Sequence, residues 1–127
     1  MVFPFDFGFI PDTHAEDGDP MDVLVLTDAP TFPGCVVDCK VLGVIKVEQE
    51  KQGRQVRNDR VVAVHLDSRN YSSVGHLDDL EDGLVKEITH FFASYNQMSD
   101  DVFKALGNGD PEEAIKLIRE NLEMTVS

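Results

Sequence analysis

Three carboxylates lie within six residues in the run Asp17-Gly18-Asp19-Pro20-Met21-Asp22. They cannot all sit on one face of a regular element, but Gly18 permits a tight turn and Pro20 fixes its own φ, so a loop can aim all three at a common point. Left alone, such carboxylates repel one another and at least one takes up a proton. A hard cation removes that penalty, and oxygen-only ligation selects Mg²⁺, Mn²⁺ or Ca²⁺ over zinc. The spacing is not that of an EF-hand, which needs a longer loop closed by a glutamate. Taken alone, the run reads equally well as a solvated acidic turn.

The other chemistry-bearing residues offer less. Cys35 and Cys39, at i and i+4, would lie about 13 Å apart along one extended segment, too far for a disulfide. With no second ligand pair at suitable spacing they read as two buried thiols rather than a zinc site. His14, His65, His76 and His90 form no ligand pattern. The balance of 11 Lys and Arg against 24 Asp and Glu, a net charge of −13, argues against nucleic acid or an anionic membrane as partner and favours divalent cations. No apolar stretch reaches the roughly 18 residues of a membrane span, and the start, Met1-Val2-Phe3-Pro4-Phe5-Asp6, lacks the pattern of a secretory signal. The chain reads as cytoplasmic and as one domain, residues 1–127.

The elements that must position the acidic run divide the chain in two. The first half has short apolar runs cut by turns, a β signature. Val23-Leu24-Val25-Leu26, a long run from Val36 to Val47 with a bulge or bend at Gly43, and Val61-Val62-Ala63-Val64 read as strands. The polar stretch from Glu48 to Asn58, with Gly53, reads as a hairpin turn. Strands of this kind without intervening helices favour a small antiparallel barrel over a parallel sheet. The second half is helical. Leu84, Val85, Ile88, Phe91, Phe92 and Tyr95 form one amphipathic stripe. A further helix opens at Asp110 as N-cap, with Pro111 at its first position and Glu113 completing a capping box, and presents Ala114, Ile115, Ile118 and Leu122. The fold class expected is mainly β with α, a barrel with two packed helices.

The flanks of the acidic run carry a resemblance. Phe3-Pro4-Phe5-Asp6-Phe7-Gly8-Phe9-Ile10-Pro11, followed by Asp17-Gly18-Asp19-Pro20-Met21-Asp22-Val23-Leu24-Val25, is similar to the soluble inorganic pyrophosphatases of the magnesium-dependent, single-domain type. The likeness continues through Pro33-Gly34, Val41-Leu42-Gly43-Val44, Val61-Val62-Ala63-Val64 and His90-Phe91-Phe92-Ala93-Ser94-Tyr95, nearly the whole chain in order. It implies an OB-like five-stranded barrel with packed helices, a homo-oligomer, and hydrolysis of pyrophosphate to two orthophosphates with Mg²⁺, Mn²⁺ being a possible substitute. It implies further that Asp17 and Asp22 hold metal, that Asp19 helps deprotonate the attacking water, and that Tyr95 binds phosphate. Two metals acting together would acidify that water and neutralise the departing phosphate.

The sequence also departs from that family's pattern. The family carries N-terminal strands with a Glu, a Lys and an Arg ahead of the aromatic-Pro motif, and this chain starts at the motif, so the resemblance implies an N-terminally truncated domain. Alignment on Val61-Val62-Ala63-Val64 puts Asn58 where the family has a metal-binding carboxylate and Arg60 where it has a phosphate-binding lysine. Asp59, one residue off register, is then the candidate replacement ligand, and Arg60 the best-supported phosphate-binding cation. Phe7 stands for a tyrosine whose hydroxyl binds phosphate, a loss of about 0.5–1.5 kcal/mol for a neutral partner. Asn96 stands for a lysine. These departures leave open a second reading, a weakly active or non-catalytic relative that keeps metal or phosphate binding. A third, an acidic interaction module, rests on net charge alone.

Overall fold

The computed structural model describes residues 5–15, 18–28, 34–51, 53–80, 82–97 and 102–122. Six strands and two helices follow in the order β1 (Phe5–Phe9), β2 (Asp22–Leu26), β3 (Cys39–Lys51), β4 (Arg54–Arg57), β5 (Arg60–His65), α1 (Asp82–Gln97), β6 (Val102–Gly109) and α2 (Pro111–Glu120). They make one mixed sheet and two helices, the mainly-β α+β class expected. Among the described residues there are six strands rather than five, and their pairings form an open path, β1-β2-β5-β3-β4, with β6 on the other edge of β3.

The 13-residue β3 is the spine. Its first part pairs antiparallel with β5 and its last part with β4, while β6 runs antiparallel along the opposite edge. The strand reaches Lys51, beyond the Val47 end read from the sequence, because Glu48 to Glu50 have ladder partners on both sides and Lys51 pairs with Arg54. The hairpin turn at Gly53 is as expected, with φ of 77°. So is the irregularity at Gly43: the register with β5 slips between Val41 and Gly43. A Cβ there would meet the Gly109 carbonyl oxygen at 2.6 Å and the Leu77 side chain at 2.7 Å. The slip changes which side chains face inward, from Leu42 before it to Ile45 and Val47 after it. That is the expected effect of one extra residue on a period-two pattern.

Against the expected antiparallel arrangement, β2 and β5 run parallel, Asp22 opposite Arg60 through Leu26 opposite Val64. Both strands read as continuous apolar runs rather than alternations, and Val61 to Val64 are buried on both faces of the sheet. Continuous runs are the usual mark of strands covered on both sides, as parallel strands are.

On one face, Leu24, Leu26, Leu42, Ile45, Val47, Val62 and Val64 pack with Val74, Leu77, Leu80 and Ile88 of the connection and α1. Leu84 and Val85 of α1 lie against this cluster; the side chains of Phe91, Phe92 and Tyr95 lie outside the described residues. On the other face, Val44 is buried and Lys46 pairs with Glu113 of α2. The α2 start is as read: Asp110 Oδ1 accepts from the Glu113 N–H at 2.8 Å, with Pro111 following. Glu113 itself turns to Lys46 instead of completing the box. The helix buries Ala114, with Leu117 and Ile118 half-buried, whereas Ile115 and Leu122 are exposed. Cys35 is exposed rather than buried, and both cysteines are free thiols. Among the described residues no helix is long and apolar enough to cross a membrane.

Candidate functional site

The acidic run sits in a loop that leaves β1 and returns into β2, closed at its base. Ile10 N donates to Met21 O at 2.9 Å. Thr13, 3% exposed, donates from Oγ1 to Ile10 O at 2.6 Å and accepts from Met21 N at 2.9 Å. Its hydroxyl therefore serves both ends of the loop. Higher up, Ala15 N donates to Asp19 O at 2.8 Å and Gly18 N to Ala15 O at 3.0 Å, with Gly18 at a left-handed φ of 90° in the tight turn foreseen for it. His14 N donates to Asn121 O at 2.7 Å, tying the loop to the end of α2. Asp19 is exposed; Asp17 lies outside the described residues.

Asp22 opens β2, and its register partner on the parallel neighbour is Arg60, which opens β5. The Arg60 guanidinium pairs with Asp22 through Nη1 and Oδ2. The same Nη1 donates to Asn58 Oδ1 at 2.6 Å, and Asn58 Nδ2 donates to Gln49 Oε1 at 2.7 Å. The parallel pairing thus joins two of the residues singled out from the sequence, and a buried amide pair backs them.

Asp59, expected as a metal ligand, faces different partners. Its Oδ1 accepts from Val47 N at 3.0 Å and Arg57 Nε at 3.1 Å, and its Oδ2 accepts from Arg57 Nη2 at 2.9 Å. With Asn58 N donating to Val47 O at 2.9 Å, Asp59 closes the junction between β4 and β5. Tyr95 lies in α1, its side chain outside the described residues. Among the described residues no group of three or more His, Cys, Asp and Glu side chains is gathered as a metal would require. The donor chemistry still suits a hard divalent ion: Asp19 and the half-exposed Asp22 are oxygen donors at one end of the sheet, with Asp17 two residues from Asp19 in sequence. Thr13, Gln49 and the Asn58 side-chain bridge were not read from the sequence. Their only early signal was polar residues inside or beside apolar runs.

The family model for inorganic pyrophosphatase matches residues 1–125. An inorganic pyrophosphatase of Halalkalibacterium halodurans is 38% identical over 120 residues, which cover 94% of this chain and 71% of that protein. The structure of an inorganic pyrophosphatase from Coxiella burnetii superposes with a TM-score of 0.84 at 35% identity, covering 95% of this chain and 71% of that one. An inorganic pyrophosphatase from Helicobacter pylori gives a TM-score of 0.84 at 32% identity, covering 94% of this chain and 69% of its own.

Proposed function

The chain belongs to the inorganic pyrophosphatase family, and on that premise we propose that it hydrolyses pyrophosphate to two orthophosphates with a divalent cation, Mg²⁺ first and Mn²⁺ as substitute. The observation that carries this reading is the half-exposed Asp22 carboxylate paired with the buried Arg60 at the start of two parallel strands, directly after the acidic loop.

Asp17 and Asp22 would hold the ion, which would supply charge neutralisation and a more acidic water. Asp59 would join only by giving up its Arg57 fork, so the ligand set rests on the loop carboxylates. Asp19 accepts the proton from the attacking water; the hydroxyl bonds to one phosphorus while the bridging oxygen leaves on the other phosphate. Arg60, held by Asp22 and Asn58, lends its positive charge to a phosphate oxygen beside Asp22. Tyr95 is the second phosphate ligand in this reading. The protein acts in the cytoplasm as a homo-oligomer on a free small-molecule substrate.

Orthophosphate release from pyrophosphate, with and without Mg²⁺, is the direct test. Activity that requires the metal and is lost in Asp19→Asn supports the reading; no release with either metal overturns it. Mg²⁺ should also raise the melting temperature, by about 2.7 kcal/mol of added stability at a hundredfold excess over Kd.

A further inference from the structure

We propose that Gln49 and Asn58 are positioning residues: two neutral amides that fix the Arg60 guanidinium, which in turn fixes Asp22 for its cation. The inference rests on the reading of Asp22 as a metal ligand given above.

Three polar residues are buried at one spot beside an apolar core, Gln49 at 2%, Asn58 at 6% and Arg60 at 7% exposure. Burying polar groups is unfavourable unless each is hydrogen-bonded, and apolar residues of similar volume would pack such a spot at least as well. The bonds run in one direction. A guanidinium only donates, so the amide atom facing it must be the Asn58 oxygen. That orientation turns Asn58 Nδ2 toward Gln49, whose Oε1 accepts. Arg60 Nη1 carries two hydrogens and has two acceptors, Asn58 Oδ1 and Asp22 Oδ2, so both are committed and the guanidinium cannot rotate without breaking one bond. Asn58 is neutral, so this bond does not draw the guanidinium's positive charge away from Asp22. Partners behind a metal ligand commonly set its orientation, and losing one weakens metal affinity about 10–100-fold.

The test is calorimetric titration of the folded protein with Mn²⁺ and Mg²⁺, with circular dichroism confirming the fold of each variant. Asn58→Leu should weaken uptake about tenfold. On an Arg60→Gln background, Asn58→Leu should cause no further loss, because the relay then has nothing to hold. If Asn58→Leu fails to fold, Gln49→Met makes the same comparison one bond further back, with a smaller loss expected. A folded Gln49→Met or Asn58→Leu protein with native affinity overturns the relay while leaving the metal site standing. So does a loss that persists in full on the Arg60→Gln background. No metal uptake by the native protein overturns both.

Discussion

Two aspartate–arginine pairs meet where β5 begins, Asp59 and Arg60 being consecutive in the chain, and they are built in opposite senses. In Asp22–Arg60 the arginine side chain is 9% exposed and the carboxylate 48%; in Asp59–Arg57 the carboxylate is 8% exposed and the arginine 40%. Burying the cation and presenting the anion leaves a negative oxygen donor at the surface, held by a charge that cannot leave. Burying the anion and presenting the cation spends the carboxylate on the backbone, here on the Val47 N–H, and leaves the arginine as a cover. Residue type alone does not separate a ligand from a structural clamp. In the function proposed above, which partner is buried does.

The comparison can be broken most sharply by exchanging the damage. Asp22→Asn should lower pyrophosphate hydrolysis more than about 100-fold, beyond the loss typical of a residue that only supports a ligand. It should lower stability by only about 1 kcal/mol, since asparagine keeps an oxygen acceptor for Arg60. Asp59→Ala should do the reverse. It strands the Val47 N–H and the Arg57 fork, a loss of about 2 kcal/mol, or roughly 6–10 °C in melting temperature, with folded protein still active. Activity and melting measured on the same two preparations decide the matter; equal catalytic loss in both would erase the distinction. Thr13→Val should fall between them, destabilising by about 1–2 kcal/mol by leaving the Met21 N–H without its acceptor, with a matching weakening of metal uptake.

The smallest effect concerns Asp28, a carboxylate with a purely local role. Backbone donation from Arg69, then the Ser68 hydroxyl at 2.8 Å, hold its pKa below the ordinary value of 3.8. A lowered folded pKa means that this contribution is present above about pH 3.8, the unfolded value, and is lost as pH falls through the folded one. Asp28→Asn should therefore remove this small contribution at neutral pH and flatten the acid limb, with the difference from native vanishing at the lowest pH, read from chemical denaturation at several pH values.

Much of this was legible in the sequence where one local rule settles the outcome. The Asp110-Pro111 start of α2, the break at Gly43 and the turn at Gly18 each follow from backbone preferences of one or two residues. The acidic run announced its donors, and the flanking motifs their family. What stayed hidden depends on neighbours distant in the chain. β6 was missed because Gly107 and Gly109 interrupt any alternation, and its pairing is fixed by β3 rather than by its own side chains. The direction of β2 against β5 was misjudged, although the unbroken run Val61-Val62-Ala63-Val64 carried the signal. The Arg57 fork on Asp59 was hidden because counting along the chain does not reveal that a residue two positions away folds back on it.

The parallel pairing has a kinetic corollary. Asp22 and Arg60 meet across 38 residues of chain, whereas the turns of α2 close within a few, and contacts of long sequence separation form slowly. During refolding, helical signal should rise well before the protein can retain Mn²⁺, so cation uptake would time the completion of the sheet.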